Sequence, residues 1–320
     1  MLTGTELRAM SEEDLSRFIF RSRDTLLFAR TKPNQKLDII TALKRNNEVV
    51  AMMGDGVNDV PAISRADIGI VVGEASDVAK ESAVLVLLDS SFSTIVAAVE
   101  EGRVIFDNTR KVILYLMCDA FEGIFVVLFS TLIRLPLPIT AIQILWINLI
   151  SDGFPHLALT VDPKNPSIMS HPPRSPKENL VSKWMYKLIG IVSLTGGITA
   201  SLIYLYILKT TQDVTIARSV IFATIGINSL IYVFSVRTLT RPFWEEGFFD
   251  NKWLLLAVFA GMGFQFLPFS FESLRDAFGI VPLGILWGYV FSASILMFLV
   301  IEMSKWVFRF HFNHVHHESY

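Results

Sequence analysis

The sequence predicts an α/β domain with a parallel sheet, followed by an all-α bundle of six transmembrane helices. The 320 residues are 52% hydrophobic and have a mean hydropathy of +0.49, which excludes an ordinary soluble domain. Over residues 1–110, short apolar runs alternate with helix-like stretches. Residues 111–303 hold almost all of the long apolar stretches, each near the ~20 residues that a helix needs to cross a bilayer. Residues 304–320 form a tail.

The alternation in the first domain predicts its sheet. The predicted strands are LLFA at 26–29, VVAMM at 49–53, IGIVV at 68–72 and AVLVLL at 83–88. Helices are expected at 34–45 and from Val57 onwards. Strands that alternate with helices favour a parallel sheet with right-handed crossovers. Ligands of such sheets bind at the carboxyl ends of the strands.

The loop GDGVND, residues 54–59, follows the second predicted strand. Gly54 and Gly56 are expected to allow a backbone turn that a β-carbon would hinder. Pro61 suits the first turn of the helix that follows.

Asp55 comes directly after this strand, where a carboxylate suits Mg²⁺, which binds through one or two carboxylates and phosphate oxygens. Lys36 opens the preceding helix and can act as a point charge on a phosphate. In the alternative interpretation, Asp55 and Asp59 only cap a helix and Lys36 is solvated.

Six candidate spans are predicted, at 112–133, 139–158, 186–208, 217–236, 253–271 and 281–303. An even number of spans places both chain ends on one side. The N-terminus lacks a basic-then-apolar signal, so N- and C-termini are expected in the cytosol. Basic residues are more frequent in the connections on that side, as the positive-inside rule requires; the other side has Arg134, Lys209, Arg218 and Arg275. We therefore expect a multi-pass protein of the plasma (inner) membrane. The single cysteine, Cys118, excludes disulfides.

Polar residues within the first two spans are candidate cation ligands: Asp119 and Glu122 in the first, and Asn148, Ser151 and Asp152 in the second. A charged residue at a span centre costs ~2.5–3.5 kcal/mol and by default marks an ion path. Each set is expected to share one helix face. Gly153 and Pro155 would break the helix beside Asp152, and freed carbonyls next to an acid build cation sites. Two alternatives remain: Asn148 could link helices, and Asp119 could lie near an interface.

Several motifs resemble one family in the same order along the chain. GDGVNDVPAI, with ARTKPNQK upstream and ADIGIVVG downstream, resembles the phosphorylation domain of P-type cation-transporting ATPases, of the haloacid-dehalogenase superfamily. DVAKESAVLVLLDSSFSTIVAAVEEGRVIFDNTRKVILYL resembles the family's hinge into its fifth span. LPLPITAIQILWINLISDGFPHLAL resembles its fifth-to-sixth-span segment, and PSIMSHPPRSPKENLVS its next cytosolic loop. The resemblance covers essentially the whole chain and is nearest to the calcium pumps.

The resemblance implies roles for named residues. Asp55 would be the Mg²⁺ ligand, Asn58 and Asp59 would support the acyl-phosphate site, and Lys36 would contact the phosphoryl group that comes from ATP. WINLISDG matches the calcium pumps' sixth-span motif, so Asn148 and Asp152, with Ser151 as a further candidate, would bind the transported cation. Ca²⁺ is the expected cargo and Mn²⁺ the alternative. Apart from the resemblance, His156 is expected to line the exit of the span; in the alternative interpretation it is a softer ligand that favours Mn²⁺ or Zn²⁺.

Two positions depart from the family's pattern. The fifth-span glutamate falls on Gly123, with Glu122 one residue earlier, and one residue turns a helix by about 100°. The eighth-span glutamate falls on Gly226. The resemblance therefore implies one bound cation rather than two, unless a bulge swings Glu122 inward; otherwise Glu122 should lie against a neighbouring helix.

The family's phosphorylated motif, Asp-Lys-Thr-Gly-Thr, is not in the sequence. LTGT at 2–5 instead resembles the family's Thr-Gly-x-x-Leu segment. The chain is thus expected to start within the phosphorylation domain, with the nucleotide and actuator domains and the first four spans in a separately encoded N-terminal half or lost by truncation. Alone it is expected to be inactive.

The expected function is therefore the C-terminal half of an ATP-driven pump that exports Ca²⁺ from the cytosol, in contact with the lipid bilayer and with no nucleic acid. There are two rival hypotheses: a non-catalytic membrane relic or regulator, and a free-standing phosphatase. The tail HFNHVHHESY is expected to be solvated, and Glu302 is expected to pair with Lys305.

Overall fold

A computed structural model describes residues 1–22, 25–89, 91–170, 172–174, 178–238, 242–245, 247 and 249–315, without the side chains of 245 and 308–315. The chain forms two compact units. The first unit comprises Met1–Glu101 with Pro172–Glu178, and the second comprises Gly102–His171 with Asn179–Tyr320. The predicted domain boundary after residue 110 stays a prediction.

The first unit contains two short parallel ladders. Strand β1 (Leu2–Thr3) pairs with β2 (Phe28–Ala29), and β3 (Ala51–Gly54), β4 (Ile68–Val72) and β5 (Leu85–Leu87) form a second ladder in that order. The parallel arrangement and the four predicted strands are confirmed, although β2 pairs with β1 and not with β3. Strand β1 was not predicted, because two residues give no periodic pattern.

Five short helices surround these ladders: α1 (Gly4–Ala9), α2 (Glu12–Arg21), α3 (Pro33–Arg45), α4 (Val60–Arg65) and α5 (Asp77–Ser82). Ile63 of α4 and Ala79 of α5 pack against Val71 of β4. Ile40 of α3 packs with Ala62 of α4. Helices α3 and α4 are thus packed against each other. This packing fixes the position of the loop that precedes α4, where the sequence predicts contact with a phosphate.

The second unit is helical. Its elements are α6 (Phe92–Leu132, which begins in the first unit), α7 (Ala141–Trp146), a π-helix (Ile147–Asp152), α8 (Gly153–Thr160), α9 (Lys183–Thr211), α10 (Val214–Arg237), α11 (Lys252–Ser270), α12 (Glu272–Phe278) and α13 (Trp287–Val315). Within the described residues, five helical segments are long and apolar enough to cross a membrane: α6, α9, α10, α11 and Gly284–Val307. Helix α10 is the most buried of these and packs against α9, α11 and α13.

The second predicted span, 139–158, is not one long α-helix, so the predicted count of six spans is not confirmed. The chain passes from α7 through the π-helix into α8. Pro155 has no N–H to donate to the carbonyl of Ser151, four residues back. The Tyr115 hydroxyl donates to that carbonyl instead, at 2.9 Å. The freed carbonyl that the sequence led us to expect is therefore occupied by a side chain of α6.

Candidate functional site

The acidic loop after β3 depends on one glycine. A β-carbon on Gly54 would lie 2.6 Å from the Asp59 β-carbon and 2.8 Å from its Oδ2 atom. Only glycine allows this approach, as predicted. The expectation for Gly56 is wrong: its φ is −126°, an ordinary value for any residue, and the nearest atom to a β-carbon there would be 4.0 Å away. Pro61 lies in the first turn of α4, as predicted.

Lys36 and Asp59 form an ion pair. The Lys36 Nζ atom lies 2.6 Å from Asp59 Oδ1, and the Asp59 side chain is only 11% exposed. Asp59 is the N-cap residue of α4 but makes no capping hydrogen bond with its side chain. Because Asp59 fixes the ammonium group, Lys36 is not a freely solvated lysine.

Asp55 and Asn58 are exposed in the same loop. Within the described chain, the Asp55 carboxylate has no hydrogen-bond partner and does not cap a helix. An exposed, unpaired carboxylate at a strand end fits Mg²⁺, which retains several waters and needs few protein ligands.

The membrane-spanning unit contains a pair of buried acids. Asp119 of α6 and Asp152 at the end of the π-helix are 8% and 5% exposed. Ser229 of α10 donates a hydrogen bond to Asp119 Oδ1 at 2.8 Å, and Asp152 lies within hydrogen-bonding reach of both. Asp119 Oδ2 and Asp152 Oδ1 have no hydrogen-bond partner among the described residues. Among the described residues, no lysine or arginine forms an ion pair with Asp119 or Asp152.

Glu122 points elsewhere in the bundle. It is fully buried, and its Oε1 atom accepts a hydrogen bond from Asn228 of α10 at 3.1 Å. Asn228 in turn accepts one from Ser294 of α13 at 2.6 Å. A β-carbon on Gly196 of α9 would lie 2.5 Å from the Glu122 carboxyl carbon. Glu122 thus lies against neighbouring helices, while a β-carbon on Gly123 would contact nothing within 4 Å.

The prediction that Asn148, Ser151 and Asp152 share one face of the second span is wrong for Asn148. Ser151 and Asp152 are buried, but Asn148 is exposed. All three residues lie in the π-helix, whose hydrogen bonds connect residues five apart. His156 is half-buried, and its Nδ1 atom has no partner among the described residues. The side chains of the tail histidines lie outside the described residues.

Gln265 of α11 adjoins the same site and was missed by the sequence analysis. It is fully buried, and its Oε1 atom accepts a hydrogen bond from the Ser151 hydroxyl at 3.4 Å. A β-carbon on Gly226 would lie 2.5 Å from Gln265 Nε2. The one available signal was a lone amide in the apolar run GMGFQFLPF.

The described residues contain no group of three or more His, Cys, Asp or Glu side chains arranged to hold a metal ion. The membrane site instead offers two carboxylates and neutral oxygens. Ca²⁺ accepts such mixtures, because it takes carboxylates, hydroxyls, amide oxygens and waters in flexible geometry.

A second buried acid in this unit, Asp162, was also missed. Its Oδ2 atom lies 2.7 Å from Lys111 Nζ, and its Oδ1 atom lies 2.7 Å from Arg237 Nε. Asn251 donates to Oδ1 at 2.9 Å. Asp162 therefore joins α6, α10 and the start of α11, with each of its carboxylate oxygens paired to a base.

The predicted pair of Glu302 and Lys305 is confirmed, with 2.7 Å between Oε1 and Nζ. Both residues are buried, and Lys305 also donates to the Ser235 carbonyl at 3.0 Å, near the end of α10. This position suits a cation, because the last carbonyls of a helix carry partial negative charge.

Residues 136–307 match the family described as cation transporting ATPase, C-terminus, and residues 29–99 match haloacid dehalogenase-like hydrolase. A calcium-transporting ATPase of Bacillus subtilis is 38% identical over 88% of this chain and 32% of its own length. Calcium-transporting ATPase 1 of Bacillus cereus is 35% identical over 95% of this chain and 36% of its own length. A probable cation-transporting ATPase F of Mycobacterium tuberculosis is 36% identical over 94% of this chain and 33% of its own length.

The chain spans about a third of the length of these relatives. The first family match covers more than half of the chain and includes the π-helix with Asp152; the second covers the acidic loop with Asp55. Together with the parallel ladders and the apolar helices, these matches show that the chain belongs to the P-type cation-transporting ATPase family.

Proposed function

We propose that this chain is the C-terminal part of an ATP-driven pump that exports a divalent cation, Ca²⁺, from the cytosol. The observation that carries the proposal is the pair Asp119 and Asp152, two adjoining buried acids with no basic partner in the described residues. The two Bacillus relatives are calcium-transporting ATPases, which favours Ca²⁺ over Mn²⁺.

The physical reason is electrostatic. Two ionised carboxylates side by side in an apolar bundle repel each other and lose their hydration, and both costs are high where the effective dielectric constant is low. A divalent cation between them removes the repulsion and supplies the missing partner. Two fully buried hydroxyls offer neutral oxygens: Ser229 donates to Asp119, and Ser151 directly precedes Asp152 in the π-helix. Asn148 lies four residues before Asp152 in the same π-helix and is exposed.

Glu122 is not one of the two acids that we propose as cation ligands, because its carboxylate is directed at Asn228 and Gly196. One bound cation per chain follows, since two carboxylates balance one divalent charge. His156, one turn beyond Asp152, would add a softer ligand only in a pump for Mn²⁺.

At the loop after β3, Asp55 would hold Mg²⁺, which when bound offsets phosphate charge. Asp59 keeps the Lys36 ammonium group in place to contact a phosphoryl group, and the exposed Asn58 amide offers a further donor. The family generally uses Mg²⁺ and ATP. The phosphoryl group itself would reside on an aspartate outside these 320 residues, because the Asp-Lys-Thr-Gly-Thr motif is not among them.

We also propose that α7, the π-helix and α8 together form a sixth span. They run without interruption from Ala141 to Thr160, and this length of helix reaches about 30 Å, the thickness of the hydrocarbon core. With six spans, both termini would lie in the cytosol. The plasma membrane is the proposed location.

Equilibrium binding of radioactive Ca²⁺ to the purified chain in lipid nanodiscs tests the cation site. We expect one ion per chain, lost in Asp152→Asn and in Asp119→Asn, and kept in Glu122→Gln. Binding that both aspartate variants retain would overturn the proposal. Two ions per chain, one of them lost with Glu122→Gln, would show instead that Glu122 builds a second site.

A further inference from the structure

We propose that Gln265 is a positioning residue that determines the specificity of the cation site: it orients the Ser151 hydroxyl and limits the site to two negative charges. This inference rests on the proposed function and adds a residue from α11, a helix that contributes none of the candidate ligands named above.

The orientation of the Gln265 amide is fixed at both of its polar atoms. The Nε2 atom donates to the carbonyl of Phe222 on α10 at 3.1 Å. The Oε1 atom accepts from the Ser151 hydroxyl at 3.4 Å. Reversing the amide would set its oxygen against the Phe222 carbonyl, and two acceptors cannot share a hydrogen bond. The amide oxygen therefore faces the π-helix.

A glycine provides the space for this amide. A β-carbon on Gly226 would lie 2.5 Å from Nε2 and 2.6 Å from Cδ of Gln265. Glycine within a helix costs roughly 0.5–1 kcal/mol relative to alanine, so a glycine inside α10 calls for a packing reason. The Gln265 amide occupies the space that a side chain at 226 would need, so any larger residue there would displace the amide from Ser151.

The amide has a chemical consequence for Ser151. A serine hydroxyl has one hydrogen and two lone pairs. Since the hydrogen points to Gln265, the lone pairs point away from the amide and are free for a cation held by Asp152, the next residue in the π-helix. Gln265 also adds no charge. Of the described residues, the proposed site therefore keeps the carboxylates of Asp119 and Asp152 as its charges, which suits one divalent cation.

Three variants separate these effects. Gln265→Met keeps the size but removes the amide, and we expect about a tenfold loss of Ca²⁺ affinity, the usual effect of removing a group that orients a metal ligand. Gln265→Glu is nearly isosteric and adds a third negative charge, so the affinity for Tb³⁺ relative to Ca²⁺ should rise at least about tenfold. Asp152→Asn should abolish the binding of both ions.

Gln143 supplies the matched control. It is also fully buried, but it lies in α7, and its hydrogen bonds go elsewhere: Nε2 donates to the carbonyl of Phe278 at 2.9 Å, and Oε1 accepts from the Thr140 N–H at 3.0 Å. Gln143→Met and Gln143→Glu should leave the Ca²⁺ affinity and the Tb³⁺ preference as in the unmodified chain.

The measurements are Ca²⁺ and Tb³⁺ binding to the full chain in lipid nanodiscs, with the midpoint of thermal unfolding in cation-free buffer as a check of folding. If Gln265→Met fails to fold, the Tb³⁺ preference of Gln265→Glu alone tests the role of Gln265. Ca²⁺ binding that Asp152→Asn abolishes but both Gln265 variants leave unchanged would overturn this inference alone. An unmodified chain that binds neither ion would overturn the proposed function and this inference with it.

Discussion

The helical unit buries acids in two different ways. Asp162 is surrounded by bases, with Lys111 and Arg237 both at 2.7 Å. Asp119 and Asp152 face each other and, within the described residues, have no base. The first arrangement is complete without any further ion. The second has no basic partner within the described residues, and this is the property that separates a cation site from a structural ion pair.

The two arrangements predict opposite effects of removing a charge. Removal of one partner from a buried ion pair leaves the other charge uncompensated. Removal of one of two like charges relieves repulsion instead. The same conservative substitution, aspartate to asparagine, can therefore be compared at both places.

The largest expected effect is at Asp162. Asp162→Asn strands the charges of Lys111 and Arg237 and should lower the free energy of unfolding by about 3–5 kcal/mol. Asp152→Asn, measured in cation-free buffer, should leave the stability unchanged or raise it. Denaturant unfolding of the chain in mild detergent measures both. Equal losses in the two variants would show that the Asp119–Asp152 pair is structural, and the comparison would fail.

The next largest effect is expected when the cation is added. Ca²⁺ at one hundred times its dissociation constant should stabilise the unmodified chain by about 2.7 kcal/mol, because it binds only the folded state. Asp119→Asn should lose this gain, while Asp276→Asn, an exposed acid in α12, should keep it. The measurement is the shift of the unfolding midpoint with Ca²⁺. The same gain in Asp119→Asn would place the ion elsewhere.

Asp59 offers an intermediate case, a largely buried acid with a single base, Lys36. Gly54→Ala would push a β-carbon against Asp59 and should destabilise the first unit by about 1–3 kcal/mol, the usual cost of overpacking. Gly56→Ala is the matched control and should change stability by less than about 0.5 kcal/mol, because its β-carbon meets open space. Thermal unfolding compares the two variants. Equal effects would mean that the loop accommodates a side chain at 54.

The sequence predicted what depends on local pattern. The apolar runs at 49–53 and 68–72 became β3 and β4, and Asp152 beside a helix break was recognised because proline and glycine act on their own neighbours. Long-range placement could not be predicted. The bases of Asp162 are far from it in sequence, and no periodicity connects them.

The identity of the buried acids was predictable, but their partners were not. Asp119 and Glu122 share a face of α6, as their spacing indicated, yet one lies beside Asp152 and the other beside Asn228. Gln265 could be recognised only when Gly226 was seen to make room for it. Sequence spacing reveals neither the π-helix nor the exposure of Asn148.

The smallest expected effect is at an exposed acid with one base. Lys44 Nζ lies 2.8 Å from Asp67 Oδ1, and its hydrogen bond lowers the pKa of Asp67 below the ordinary value. A lowered pKa means that the ion pair stabilises the fold above the pKa of the unfolded chain and loses this effect as the pH falls through the lower, folded value. Both side chains are about a third exposed, so Lys44→Met should cost at most about 1 kcal/mol at pH 7. The cost should shrink in acid and in high salt, whereas that of Asp162→Asn should persist in salt because Asp162 is shielded from water. Thermal unfolding at pH 7 and pH 3, with and without added salt, measures the difference. A cost at Lys44 that is independent of salt and pH would mean that its alkyl chain, not its charge, supports the start of β3.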